Sequence, residues 1–168
     1  MNFKCMDARR IAGAGSALAL ILALAYPLQP AMAQEDNSFS VTLRFSNAAK
    51  RKLSAMGELV TVSAMYGGEP KRGAKEAGED GTLGLGSEDK TVTPEEQRLV
   101  FRGVYDRKLA RRALKGAPQL LINVYSARRK HQDNLLDCGI WDGPLRNAAA
   151  ARIAITCKLI YADSTGAK

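Results

Sequence analysis

The sequence predicts a mainly β protein: an antiparallel β-sandwich or small barrel of about six strands, with two short helices and one disulfide. Apolar residues alternate with a period of two over several short segments, and clusters rich in glycine, proline and polar residues separate these segments. Two cysteines share the parity of the apolar residues in the last two segments. The chain has 168 residues, 46% hydrophobic and 25% charged, which is an ordinary globular composition and a length that fits one domain.

The first 33 residues have the pattern of a secretory signal peptide. Lys4, Arg9 and Arg10 precede an apolar run over 11–26, and Ala31-Met32-Ala33 supplies an A-x-A cleavage site. A retained anchor is the alternative, but the run is shorter than the roughly 20 residues that cross a bilayer. We therefore expect cleavage after residue 33 and a single exported domain over 34–168, with no later transmembrane segment. Met6 is an alternative start that leaves this pattern intact.

The exported part begins with a strand, a helix and a second strand. Residues 39–45 alternate between apolar and polar side chains, which predicts a half-buried strand. Asn47 is placed to cap a helix that runs through Met56 and ends at Gly57. Residues 58–66 alternate again and predict the second strand.

The middle of the chain is less regular. A flexible loop rich in glycine and charge is expected at about 67–92, with a short strand around 83–85. Residues 93–96 have the form of a helix N-terminus, whereas 99–105 are rich in β-branched and aromatic residues. We expect a single turn followed by a strand over 99–105, and a helix across this segment is the alternative.

The last third predicts a helix and three strands. Asp106 is placed to cap a helix over 107–115, and residues 120–126 form the segment with the strongest β character. Strands are expected over 135–141 and 152–161, with a turn near 147–148 between them. In the first of these strands, Ile140 is expected to face inward.

Cys138 and Cys157 are predicted to form a disulfide, because each points the same way as the apolar residues of its strand and export delivers both to an oxidising compartment. A bridge closing a loop of this length contributes about 3 kcal/mol. The alternative is a catalytic cysteine, with His131 as base and Asp137 or Asp142 as its orienting group. That chemistry needs an exposed, activated thiolate, which an apolar strand face does not favour.

Positive charge is concentrated in the second half of the chain. The precursor has a net charge of +8, and ten bases but one acid fall between Arg98 and Lys130. Such asymmetry predicts the charge of a partner rather than the fold. The candidate residues for binding an anionic partner are Arg107, Lys108, Arg111, Arg112, Lys115, Arg128, Arg129 and Lys130.

The predicted function is that of an exported, periplasmic or secreted, non-enzymatic binding domain. Its expected partner is an anionic envelope polymer, a lipid headgroup or an acidic protein, and not a nucleic acid, because of the location and the scarcity of aromatic residues near the bases. Because the chain has one histidine and no EF-hand pattern, we expect no metal site and no cofactor. A solvated basic surface without a partner is the simpler alternative.

A small exported hydrolase-type enzyme with a site built from loops is the alternative function. A deep pocket with convergent polar groups would favour the enzyme, and a flat basic surface would favour the binding domain.

Overall fold

The computed structural model describes residues 37–161, which form a mainly β, sandwich-like fold, as predicted. These residues form eight strands in two four-stranded sheets and three helices, rather than about six strands and two helices. The predicted signal peptide over 1–33 lies outside the described residues. The strands are β1 (Phe39–Phe45), β2 (Val60–Gly68), β3 (Leu83–Val92), β4 (Gln97–Phe101), β5 (Gln119–Ser126), β6 (Leu136–Cys138), β7 (Trp141–Pro144) and β8 (Ile153–Leu159). The helices are α1 (Asn47–Met56), α2 (Arg107–Ala113) and α3 (Leu145–Ala148).

Sheet A has the strand order β4-β1-β8-β6, and sheet B has the order β3-β2-β5-β7. In sheet A the pair β1–β8 is parallel, and the pairs β1–β4 and β6–β8 are antiparallel. The three pairs of sheet B are antiparallel, with an irregularity in β2 between Tyr66 and Gly67. The first and last described strands therefore lie side by side in sheet A.

The apolar faces of both sheets share one core, because alternate residues of each strand point to the same side. Val41 and Leu43 of β1 and Leu120 and Ile122 of β5 are fully buried in it. The rings of Phe39 and Phe101 stack with their centroids 5.3 Å apart, and this contact joins β1 to β4. We infer that burial of these side chains is the main force holding the two sheets together.

Helix α1 connects the two sheets. The Ser46 hydroxyl accepts a 3.1 Å hydrogen bond from the Ala49 N–H, so the capping residue is Ser46. The prediction of Asn47 as cap was wrong by one position, because Ser46 is the last residue with extended backbone before the helix. The helix ends at Gly57, whose φ of 64° is a left-handed conformation that glycine adopts without strain.

The disulfide Cys138–Cys157 is confirmed. The two cysteines are directly paired in the register of β6 and β8, at the position that the strand parity predicted. The predicted strand over 135–141 is nevertheless divided: its first part is β6 in sheet A, and Trp141 begins β7 in sheet B. Ile140 lies between them and is 66% exposed, so the prediction that it faces inward was wrong.

Strand β3 is longer than the short strand predicted around 83–85. Only Leu83 and Leu85 of its side chains are buried. The remaining positions carry glycine, polar or charged residues, except Val92, which is partly buried. An edge strand that faces solvent needs no continuous apolar pattern. This is why the sequence of β3 resembles a loop.

The strand predicted over 99–105 ends at Phe101, because the backbone beyond it forms hydrogen bonds with the Glu88 side chain. The N–H groups of Arg102 and Val104 donate to the Glu88 carboxylate, and Gly103 between them has a φ of 66°. The helical alternative for this segment does not form. Helix α2 ends two residues before the predicted boundary, because Leu114 pairs with Pro70 in an isolated β-bridge.

Candidate functional site

The α2 cluster consists of the five predicted bases on and after helix α2: Arg107, Lys108, Arg111, Arg112 and Lys115. The Asp106 carboxylate caps this helix by accepting a 2.8 Å hydrogen bond from the Leu109 N–H. Ala113 is buried, and Leu109 packs against the core. The apolar side of the helix therefore faces the protein, and the structure brings the five bases together on one short element.

Acidic residues from the segment after β2 neutralise part of the α2 cluster. Arg112 forms a 2.7 Å ion pair with Glu76, and Lys115 forms one of the same length with Glu69. Arg107 lies over the Tyr105 ring, with its guanidinium 5.6 Å from the ring centroid. Within residues 37–161, Lys108 and Arg111 form no ion pair. The acidic and basic halves of the sequence thus meet at this helix.

The loop cluster consists of Arg128, Arg129 and Lys130, which follow β5. All three residues are exposed, and none of them forms an ion pair within the described part of the chain. Arg128 has a φ of 56°, a left-handed conformation that is uncommon for a residue with a side chain. Its guanidinium lies 6.0 Å from the centroid of the Tyr125 ring.

The Glu58 carboxylate holds the backbone of the loop cluster. Glu58 is buried, with 1% exposure. The sequence predicted it as part of a strand and not as a site residue. One oxygen of the Glu58 carboxylate accepts hydrogen bonds from the N–H groups of Leu59 and Arg129, at 3.0 and 3.1 Å. The other oxygen accepts from Lys130 and His131, at 2.7 and 3.1 Å. A single buried carboxylate therefore holds the loop backbone from Arg129 to His131.

Two opposing effects set the pKa of Glu58. Burial raises the pKa of this carboxyl, because it disfavours the charged form. The four backbone N–H groups stabilise the carboxylate and lower its pKa by more, so the pKa lies below its ordinary value. Glu58 is ionised at neutral pH, and its bonds go to backbone donors rather than to the cationic side chains of the loop.

The two basic clusters lie at opposite ends of sheet B. Ser126 pairs with Val60 at the end that leads into the loop cluster. The residue after helix α2, Leu114, pairs with Pro70, just beyond the other end of β2. Strands of this length separate the two clusters by roughly 25 Å. The structure therefore does not join the predicted basic residues into one continuous strip.

The residues of the alternative cysteine-based site are placed elsewhere. Both cysteines are bonded to each other, so neither supplies a thiolate. Asp137 pairs with Lys158 at 3.2 Å, and His131 is exposed, with its Nδ1 3.2 Å from the Asp133 backbone nitrogen. The alternative hypothesis of a catalytic cysteine activated by His131 is therefore wrong.

A second carboxylate holds the segment after β4. The Tyr66 hydroxyl donates a 2.6 Å hydrogen bond to Glu88, which also accepts from the N–H groups of Arg102 and Val104. Burial and the Glu88 carboxylate raise the pKa of Tyr66. Burial raises the pKa of Glu88, but the bond from Tyr66 and the backbone bonds lower it by more, so it stays below its ordinary value. With three donors on its oxygens, Glu88 is a poor general base, and its role is to tie the 102–104 segment to β2 and β3.

Comparisons with known proteins give no relative: the chain matches no protein family, no curated protein and no solved structure. Among residues 37–161 there is no group of three or more histidine, cysteine or acidic residues able to hold a metal ion. None of the helices in this same range is both long and apolar enough to cross a membrane.

Proposed function

We propose that this protein is an exported, non-enzymatic binding domain that engages an anionic envelope component or an acidic protein through its two basic clusters. The observation that carries the proposal is the buried Glu58 carboxylate, which accepts hydrogen bonds from the backbone N–H groups of Arg129, Lys130 and His131. A fixed loop loses less conformational freedom on binding than a mobile one, so more of its attraction for an anion is realised as affinity.

The loop cluster is the stronger of the two contacts. Its three bases have no acidic partner within residues 37–161, whereas Glu69 and Glu76 partly neutralise the α2 cluster. Lys108 and Arg111 are the residues of the α2 cluster that remain available. Because roughly 25 Å separates the clusters, an extended polymer or a lipid surface is better suited than a compact ligand to contact both.

Export is part of the same proposal. It is supported by the signal-like pattern over 1–33, which lies outside the described residues, and by the Cys138–Cys157 disulfide, which persists in oxidising compartments. Intact-mass measurement of protein recovered from such a compartment should give a chain that begins at Gln34. A mass that still includes residues 1–33 would contradict cleavage.

Binding is tested with vesicles of phosphatidylglycerol and phosphatidylcholine, by co-sedimentation at low and high salt, and with polyglutamate by fluorescence anisotropy. Replacing Arg128, Arg129 and Lys130 with glutamine should weaken binding strongly at low salt and remove most of its salt dependence, because screened attraction supplies the affinity. The double variant Arg111→Glu with Arg112→Glu should weaken binding less.

The matched control replaces three exposed cations elsewhere with glutamine: Arg51, Lys75 and Arg146. This triple variant changes the net charge by the same amount and should bind like the wild type. Equal binding by the loop variant and the control would overturn the proposal, and it would leave the basic residues as a solvated surface.

A further inference from the structure

The outer face of sheet A carries a group of arginines that lies apart from both basic clusters. Strand β1 turns Phe39, Val41 and Leu43 inward, so its alternate residues Ser40, Thr42 and Arg44 face outward. Thr42 pairs with Arg98 of β4 on one side and with Ala154 of β8 on the other. This register places Arg98 directly beside the Thr42 position.

A second arginine approaches from the opposite side of β1. Val41 pairs with Ile153 in the parallel β1–β8 ladder, so the preceding residue, Arg152, lies level with Ser40. With neighbouring strands about 4.8 Å apart, the Cα atoms of Arg98 and Arg152 are roughly 12 Å apart across β1. Two arginine side chains span that distance from either side, so both guanidinium groups can reach one anion held over Ser40 and Thr42.

These residues line a concavity of about 420 Å³. Its floor includes Ser40 and Thr42. One wall is formed by 149–151, a run of three alanines after α3, and Ile153 and Ala154 of β8 also line it. Alanine methyl groups leave the space open and add no acidic or bulky side chain. The hydroxyl groups on the floor can each donate a hydrogen bond to an anion.

The charge of the concavity is positive and largely uncompensated. Arg44 lines it as well and forms a 3.3 Å ion pair with Glu96. Arg98 and Arg152 form no ion pair with any residue between 37 and 161. Three arginines against one acid leave a net positive charge in a recess that also presents hydroxyl donors.

We propose that this concavity, the Arg98–Arg152 cradle, binds the phosphate group of a small soluble phosphomonoester. Planar guanidinium groups donate paired hydrogen bonds to phosphate oxygens, and hydroxyl groups complete the coordination. The volume exceeds that of a bare phosphate ion, and the alanine wall accommodates the esterified part of the molecule. No residue of the α2 or loop cluster lines the cradle, so this site is independent of the proposed anionic-partner surface.

The test is a titration of the protein with inorganic phosphate, glycerol 3-phosphate and glycerol, followed by amide NMR. Both phosphates should shift the amide signals of Ser40, Thr42 and Ala154 along saturating curves, glycerol 3-phosphate should bind more tightly, and glycerol should cause no shift. Non-saturating shifts, or shifts centred on α2 or the 128–130 loop, would overturn the site. Equal affinity for the two phosphates would overturn the assignment to a phosphomonoester.

Arg98→Gln with Arg152→Gln should lower the affinity at least about tenfold, through loss of both guanidinium groups. Arg98→Lys with Arg152→Lys keeps the charge and the fold but removes the planar donors, and it should weaken binding as well. The control, Arg72→Gln with Lys75→Gln, removes the same charge from exposed positions between β2 and β3 that belong to neither basic cluster, and it should leave the affinity unchanged. An equal loss in the control would show that general charge attraction, and not the cradle, holds phosphate.

Discussion

The Glu58 carboxylate accepts a 2.7 Å hydrogen bond from the backbone N–H of Lys130, a residue 72 positions later in the chain. With the bonds from Leu59, Arg129 and His131, it satisfies four backbone donors at the end of sheet B. A carboxylate offers enough lone pairs for all four, which an amide or a hydroxyl group does not. One buried acid therefore holds the backbone of the basic loop between Arg129 and His131.

Glu58→Gln should lower the free energy of unfolding by about 3 kcal/mol. The glutamine amide nitrogen cannot accept a hydrogen bond, so backbone N–H groups that face it would lose their acceptor. Urea denaturation measures this change. Glu79→Gln, at an exposed position, is the control and should have little effect. A Glu58→Gln variant as stable as the control would show that the four bonds contribute no net stability.

The pKa of Glu58 predicts how the unfolding free energy changes at acid pH. Its pKa in the folded protein lies below the ordinary value of 4.5, so its contribution is fully present above pH 4.5 and is lost as the pH falls through the lower folded value. The unfolding free energy of Glu58→Gln should therefore fall less steeply below pH 4.5 than that of the wild type. Parallel curves for the two proteins in acid would contradict this prediction.

Cys138→Ser with Cys157→Ser should lower the unfolding free energy by about 2–5 kcal/mol, the usual loss when a small domain loses a native disulfide. Thermal or urea denaturation measures the change. A reductant should shift the wild-type midpoint toward that of the variant and should leave the variant itself unmoved. If the reductant shifts both proteins equally, its effect does not come from the bridge.

Tyr66→Phe should cost about 1–2 kcal/mol of stability at neutral pH, because Glu88 loses its hydroxyl donor. The pKa of Tyr66 is raised above 10.0 in the folded protein, so the contribution of the hydroxyl is complete below pH 10 and is lost as the pH rises further. The difference in unfolding free energy between the wild type and Tyr66→Phe should therefore become smaller at alkaline pH. Tyr161→Phe, at a residue with 86% exposure, is the control, and a constant gap across the alkaline range would refute the prediction.

Gly103→Ala should destabilise the protein by about 2 kcal/mol or more, for two reasons that act together. The φ of 66° disfavours a residue with a side chain, and a Cβ at this position would collide with the backbone carbonyl of Asn37. Gly84→Ala is a matched control, since no atom lies within 4 Å of its Cβ position. Comparable urea midpoints for the two variants would argue against a requirement for glycine at 103.

The sequence was sufficient to predict the elements whose signal is local. Strand β1 and the pairing of Cys138 with Cys157 follow from a period of two within short segments. Strand β3 was predicted too short, because an edge strand with two buried side chains leaves little periodic trace. The boundary after Phe101 was missed because a side chain 14 positions from Arg102 determines it.

The candidate sites depend on distant parts of the chain even more than the fold does. Nothing local marks Glu58 as the acceptor for residues near 130, since an acid at the start of a strand is normally exposed. The Arg98–Arg152 cradle exists only through the register of β4 and β8 on either side of β1. Charge counting found the α2 cluster and the loop cluster, but it could not show that a whole strand length lies between them.

The parallel pairing of β1 with β8 also constrains the order in which the protein folds. β1 and β8 are more than 100 positions apart in the chain, so β1 can pair with β4 early, whereas its other edge stays unpaired until β8 reaches it. Contacts between such distant segments form slowly, and an unpaired strand edge is open to aggregation during the delay. Cys157 belongs to β8, so oxidation of the Cys138–Cys157 pair reports that β6 and β8 have paired.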